Sequence, residues 1–504
     1  MEKFLPYFII LSLGGAFIIY LLGAILKNRY SKIADIIANI IFLGGFLLTL
    51  FLIPAVKNSA PLLYFMGKWR VPLGITLVVD GLSVLMLTII WGIGLLSAIY
   101  SINYMDKFTS KYKFYALLLL MTGGMSGVAI SGDLFNMYVF IEIAAIASYV
   151  LVAFGVDAEE LEAAFKYMVI GSIGSLTLLL AIAFVYARTG TLNMADVSFS
   201  LQAHAKTGFM LLSSLLFTIG FLIKAALVPF HFWLPDAHPS APAPISAMLS
   251  GVVIKVLGVY GIMRIFYNVL GFTEPVKTAL LILAGLSMIV GVLLQLGQND
   301  IKRLLAYCSI SQIGYVLLGI GLNTPLGIFG AMFHLVNHAI FKSLLFLDSG
   351  AIEYTTHSRN INELSGLKNK LPVTTLGWVV GSFGASGLPP FNGFFSKLIL
   401  IIAAAQAGQY ILAVIAGLAA ALTLASFIFV HRKVFWGTLL ENLKLIRESP
   451  GFMQASIIIL SALTILSGLL ILPIFRINFL DLAQNALLLG TNYAYLVFSK
   501  AGVF

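Results

Sequence analysis

The run GFMLLSSLLFTIGFLIKAALVPFHF fills residues 208–232 and carries a single lysine, Lys224, among side chains that up to His231 are otherwise apolar or small. About 20 apolar residues of helix cross the hydrocarbon core of a bilayer, so this run has the length and composition of a membrane span. Lipid offers no partners to an unpaired N–H or C=O, and only helices and closed barrels satisfy their own backbones there. The apolarity is continuous rather than alternating, which excludes a barrel. Near the end of the run stands Val228-Pro229. Proline removes a helix donor and clashes with the preceding turn, so the helix is expected to be discontinuous beyond its one lysine.

Working outward, spans are expected at about 4–26, 33–56, 80–104, 114–131, 134–154, 163–188, 208–232, 242–268, 276–296, 301–321, 325–350, 372–405, 410–436 and 455–475. The fold class is therefore an all-α integral membrane protein of about 14 transmembrane helices. The twelfth span repeats the feature of the seventh, with Gly387-Leu388-Pro389-Pro390 near its middle. The segment Trp69 to Thr76 reads as extended or hairpin, and the stretch 482–498 as short, apolar and interfacial. The run from Phe4 has no small-residue cleavage signature and reads as a retained first span.

Composition agrees. Of 504 residues, 60% are hydrophobic and 10% charged, with a mean hydropathy of +1.02; a soluble domain is nearer ~25% charged. The 46 glycines suit close helix packing in lipid. One cysteine, Cys308, excludes internal disulfides and Cys-ligated clusters. No Walker loop, dinucleotide fingerprint or HExxH motif is present, which argues against nucleotide chemistry, and no metal or cofactor site is expected. The net charge of +10 points to basic cytoplasmic loops rather than to nucleic acid. With the N-terminus outside, sixteen Lys and Arg face the cytoplasm, including Lys27, Arg29, Lys111 and Lys302. Ten face out, including Arg70, Lys206 and Arg264. The bias puts both termini outside. The four that remain, Lys224, Lys255, Lys342 and Lys397, fall within spans.

A charge at a helix centre costs about 2.5–3.5 kcal/mol on insertion scales. Besides the lysines, Glu142 lies mid-span in the fifth helix, and His334, His338 and Lys342 follow one another at i, i+4, i+8 along one face of the eleventh. A lysine whose carboxylate partner approaches and retreats takes up and releases a proton near neutrality, and histidine relays protons there without help. Glu142 opposite Lys224 would form such a pair. Other polar residues have plainer readings. Lys342 and Asp348 read as snorkelling or paired structural groups, Asp133 as the mouth of the fifth span, and His231, Asp236 and His238 as partners for the proline-broken backbone. Ser148-Tyr149-Val150-Leu151 echoes Gly314-Tyr315-Val316-Leu317, and Val228-Pro229-Phe230-His231 echoes Pro389-Pro390-Phe391-Asn392, each five spans on. An odd number of spans inverts the second copy, an arrangement common in secondary transporters.

At these residues the chain resembles the antiporter-like subunits of respiratory complex I, Mrp-type Na+/H+ antiporters and membrane-bound hydrogenases. The resemblance is carried by Ser131-Gly132-Asp133-Leu134-Phe135-Asn136 with Phe140-Ile141-Glu142, and by Lys224 with Val228-Pro229-Phe230-His231-Phe232-Trp233-Leu234-Pro235-Asp236-Ala237-His238. Val79-Asp80-Gly81-Leu82-Ser83 and Phe391-Asn392-Gly393-Phe394-Phe395-Ser396-Lys397 match as well. The motifs are most similar to the Mrp D-type subunit and its hydrogenase counterpart. The resemblance implies helices 1–3 with an external hairpin over 1–113, a first repeat of helices 4–8 over 114–268, an inverted second repeat of helices 9–13 over 276–436, and helix 14 with a tail over 437–504. It implies a Glu142–Lys224 pair, a central Lys255 and a terminal Lys397. The long C-terminal lateral helix of the largest members is not expected here.

The expected function is proton translocation, with Na+ as an exchanged ion, inside a multisubunit membrane complex. The path runs through Glu142, Lys224, Lys255, His334, His338 and Lys397, with Asp133, His231 and Lys342 as additional candidates. Partners would be other membrane subunits, a peripheral redox arm, lipid, H+ and Na+. Two alternatives stay open: a stand-alone solute transporter, and a quinone-reactive membrane subunit of an oxidoreductase.

Overall fold

A computed structural model describes residues 1–26, 31–59, 61–69, 71–108, 110–202 and 208–502. Lys27, Arg29, Arg70 and Lys206, which enter the orientation count, lie outside the described residues. Twelve helices among them are long and apolar enough to cross a membrane. These are α1 (Glu2–Leu26), α2 (Ser31–Ser59), α3 (Gly81–Lys107), α4 (Lys111–Ile130), α5 (Leu134–Val152) and α6 (Ala158–Thr189). After the shorter α7 (Gly208–Lys224) come α8 (Ala243–Val269), α9 (Glu274–Leu296), α10 (Ile301–Leu322) and α11 (Pro325–Thr356). The twelfth span is two half-helices, α12 (Pro372–Ser386) and α13 (Asn392–Gln406). α14 (Tyr410–Phe435) and α15 (Gly451–Ile471) complete the set.

Both predicted breaks are present. The first follows Lys224, and the chain resumes helix only at Leu234–Ser240. The second opens at Gly387, whose φ of 83° ends α12 in the left-handed region that a Cβ disfavours. Helix burial locates the core. α8 is buried along its whole length and α10 and α11 nearly so, whereas α1, α2 and α14 bury only a minority of their residues. A membrane protein buries helix against helix and shows its apolar flanks to lipid, so the central trio is where polar side chains find shelter.

α8 also departs from ordinary helix. Its hydrogen bonds widen to the i→i+5 pattern over Leu249–Val253, Lys255–Tyr260 and Arg264–Val269. Such π turns recur at functional sites. Gly251 lies at one of them: a Cβ there would collide with Ser343 Oγ and come within 3.2 Å of Ala339 O, so α8 touches the backbone of α11 only because glycine stands at that point.

Three places add to or depart from the sequence reading. The extended segment is an antiparallel hairpin, β1 (Leu62–Phe65) with β2 (Thr76–Val79), and most of the segment from Trp69 onward is its connection rather than a strand. The 482–498 stretch forms helices Leu480–Leu488 and Tyr493–Ala501, whose Leu480, Ala483, Leu487 and Val497 are buried against the body of the protein. Three basic residues counted as facing water are instead buried in ion pairs. Arg264 holds Asp80 through two contacts of 2.7 and 2.8 Å. Lys302 meets Glu353 at 2.8 Å, and Lys111 meets Asp35 at 3.1 Å. Each joins residues that are far apart along the chain, which no count along the chain reveals.

Candidate ion path

The first cluster forms where α5, α6 and the end of α7 meet. Glu142 and Tyr149 are seven residues apart on α5 and so share one face. Lys224, the last residue of α7, projects to that face. Its Nζ is 3.7 Å from Glu142 Oε1 and 3.5 Å from the Tyr149 hydroxyl. The hydroxyl of Ser175 on α6 donates to the same Glu142 oxygen, so the carboxylate sits between a neutral donor and an ammonium. The Tyr149 ring is edge-on to Tyr167 at 4.5 Å, and Tyr167 stacks on Trp233 at 4.0 Å. The Trp233 indole in turn donates to Ile223 O at 3.2 Å. A residue from beyond the break thereby takes a carbonyl beside the lysine and fixes where α7 stops. Lys224 is buried, but the Glu142 side chain is 28% exposed, in an outward stripe with Phe135, Val139 and Ile146.

Lys255 occupies the centre, wholly buried. Its Nζ donates to Ser250 O and Gly251 O, both at 2.6 Å. These carbonyls belong to the π-helical turn, whose loosened ladder leaves acceptor capacity for a side chain of the same helix. Next to this turn, Ser250 Oγ is 2.7 Å from Ser309 Oγ of α10. His334 and His338 of α11 lie within electrostatic range of Lys255. Their rings are 6.3 Å apart. His334 Nδ1 is 3.0 Å from Ser396 Oγ of α13; its Nε2, and both ring nitrogens of His338, meet no protein partner.

Lys397 ends the row. It donates to Ala385 O at 2.7 Å. In an unbroken helix that carbonyl would bond to residue 389, which is Pro389 and has no N–H, so the break itself supplies the acceptor. The ammonium also rests 4.6 Å from the centroid of the Tyr315 ring, a cation–π distance. Tyr315 lies 5.5 Å from His334, ring to ring. The two tyrosines picked out by the internal echo, Tyr149 and Tyr315, thus each touch the lysine of their own half.

The remaining candidates separate. Lys342 is buried and donates to Leu305 O at 3.0 Å. It does not pair with Asp348, whose two oxygens meet no donor, and neither residue snorkels. Asp133 caps α5, accepting from Asn136 N at 2.8 Å. His231 lies against Phe232 with the rings tilted, and its Nδ1 is unpartnered. Asp236 is taken by Lys166 and Arg303, both at 3.1 Å, rather than by the broken backbone. No hydrogen bond joins Lys224 to Lys255 among the described residues. The sequence reading did not single out Ser175, Ser250 or Ser396 as path residues, because a serine in an apolar run carries no signal of its own.

Comparison with known proteins shows which membrane proteins the chain is similar to. The family model described as NADH:quinone oxidoreductase/Mrp antiporter, TM, covers residues 131–423, and that for the complex I chain 5 N-terminus covers 66–115. The D-type subunit of the Na(+)/H(+) antiporter of Alkalihalophilus pseudofirmus is 34% identical over 90% of this chain and 92% of its own. The N-type subunit of the NADH-quinone oxidoreductase of Desulforudis audaxviator is 35% identical over 75% and 76%. Among solved structures, a chain of the Mrp complex from Dietzia superposes with a TM-score of 0.90 at 27% identity, covering 98% of this chain and 99% of that one. A chain of the membrane-bound sulfane sulfur reductase, an archaeal respiratory membrane complex, gives 0.88 at 29%, with the same coverage.

Proposed function

The chain belongs to the NADH:quinone oxidoreductase/Mrp antiporter membrane family, and on that premise we propose that it is a proton-translocating, antiporter-like subunit of a multisubunit membrane complex. One observation carries the reading: at mid-span a buried lysine stands 3.7 Å from a carboxylate that a serine hydroxyl also holds. A pair at this separation is poised between closed and open forms, and its opening changes the proton affinity of both members. The wholly buried Lys255, the His338–His334 row and Lys397 extend the file across the core. Lys342, within electrostatic range of Lys255 and His338, stands beside that file.

Several features support the accompanying details. Fourteen crossings, ten of them in two inverted five-helix repeats, account for the matching breaks and for the matching Tyr149–Lys224 and Tyr315–Lys397 contacts. A partly exposed Glu142 in an apolar outward stripe is costly against lipid, which favours a neighbouring subunit over that face. Relatives named as Na+/H+ antiporter subunits favour Na+ as the exchanged ion. The basic-residue bias favours the cell membrane with both termini outside.

The test is proton flux in membrane vesicles holding the whole complex. Lys224→Ala and Glu142→Ala are each expected to abolish or sharply reduce flux while the complex still assembles. Wild-type flux in either variant would sink the paired-switch reading.

A further inference from the structure

Asp348 of α11 takes no part in the path above. It is wholly buried, and neither carboxyl oxygen has a hydrogen-bond partner. It lies six residues beyond Lys342, about 120° round the helix from it, and makes no hydrogen bond to it. Its oxygens lie against Gly377 of α12: a Cβ on that glycine would meet them at 2.5 and 2.6 Å, and Ile457 of α15 at 2.7 Å. An ionised carboxylate without donors in such a place is expensive, and a structural role would require partners that are missing. The titratable groups within electrostatic range are Tyr100 of α3 and Glu448, ahead of α15. Gly377 and Ile457, from the other two packed helices, do not titrate.

Glu448 is already occupied. It accepts from Val373 N at 2.8 Å and from the Thr374 hydroxyl at 2.7 Å, at the start of α12. Tyr100 is placed differently. Its hydroxyl donates to Leu347 O at 2.8 Å, beside Asp348, and its ring lies 5.5 Å from Tyr104. Tyr104 lines a cleft of about 930 Å³ together with Lys107, Lys302, Glu353 and Arg359. Glu353 is one and a half turns from Asp348, about 7–8 Å along α11. A charged cleft, two tyrosines with tilted rings in contact and a bare carboxyl therefore follow one another inward.

The geometry points to Asp348 as a proton-binding site, filled from the Lys302–Glu353 cleft past Tyr104 and Tyr100. In each cycle one proton from water in the cleft joins the Asp348 carboxylate and later leaves it toward the core, with no other reactant. On the topology proposed above, the cleft faces the cytoplasm, and the site is an uptake acid distinct from Glu142. This inference rests on the proton-translocating reading.

The experiment is proton flux in vesicles of the whole complex carrying Asp348→Asn, measured across a series of cleft-side pH values. Loss of the acid is expected to slow flux on the order of tenfold or more, most strongly at alkaline pH, where protons are scarce. Asp348→Glu is expected to restore the wild-type profile in part. Wild-type rate and pH profile in Asp348→Asn would overturn the proposal. If that variant is not recovered, Tyr100→Phe and carbodiimide labelling of the wild-type complex decide: a shifted profile or a pH-dependent adduct on Asp348 upholds the site, and neither overturns it. Normal flux in Asp348→Asn with none in Lys224→Ala would reject this site and leave the wider reading intact. A wild-type complex that moves no protons would reject both.

Discussion

Lys224 Nζ stands 3.7 Å from Glu142 Oε1, while the oxygen it faces also accepts a hydrogen bond from the Ser175 hydroxyl. The serine thus competes with the lysine for one acceptor, and an ion pair in a low-dielectric setting needs such a competitor if it is to open readily. Ser175→Ala leaves the carboxylate to the lysine alone. Flux is expected to fall by a few fold, with assembly unchanged. Vesicle flux set against the yield of purified complex measures both.

Lys255 draws its hydrogen bonds from its own helix, at Ser250 O and Gly251 O. Its replacement should therefore spare the packing of α8 against α10 and α11 and still interrupt the file. Lys255→Ala is expected to assemble and to lose most proton flux; unchanged flux would mean that the route avoids the centre.

At Lys397 the ring and the hydroxyl of Tyr315 have different tasks. The ring faces the ammonium at 4.6 Å, and the hydroxyl bonds to Ala416 O on α14. Tyr315→Phe should keep flux near wild type and cost about 1 kcal/mol of stability. Tyr315→Leu removes the cation–π contact as well and should lower flux. Thermal melting and flux on the same preparations separate the two effects.

The Asp80–Arg264 pair is buried and doubly bonded. Asn268 beside it donates to Ala486 O at 3.0 Å, so the pair ties α3 and α8 to the C-terminal helices. Removing one partner of such a pair costs about 3–5 kcal/mol. Asp80→Leu and Arg264→Leu should each destabilise the protein strongly, and the double variant less than the sum of the two. Melting temperatures in one detergent would show it.

A final variant addresses the approach of α8 to α11. Gly251→Ala puts a methyl group into Ser343 and the Ala339 carbonyl, and overpacking of this kind costs about 1–3 kcal/mol. The complex should melt lower, and flux should fall through displacement of the Gly251 carbonyl from Lys255.

The spans were legible because twenty apolar residues leave a chain few alternatives, and the breaks because proline cannot donate. Glu142, Lys224 and Lys397 stood out as charges in oil. What stayed hidden depends on the third dimension. The π turns of α8 leave no mark, since a helix apolar on every side shows no period from which 3.6 residues per turn can be told from a wider turn. Arg264 and Lys302 lie near span ends, where sequence favours water, and only distant Asp80 and Glu353 bring them inside. The serines at 175, 250 and 396 gained meaning from neighbours on other helices.

Lys255 and Lys397 both bind main-chain oxygens, whereas Lys224 faces side chains. This divides the protein for a geneticist. Second-site suppressors of a weakened Lys224 should cluster at positions 142, 149 and 175, because those partners can be exchanged for other residues. For Lys255 no codon encodes the partner atom, and the routes back are reversion or a change that moves a whole helix; Lys397 stands between the two cases, with a fixed carbonyl and an exchangeable ring at position 315.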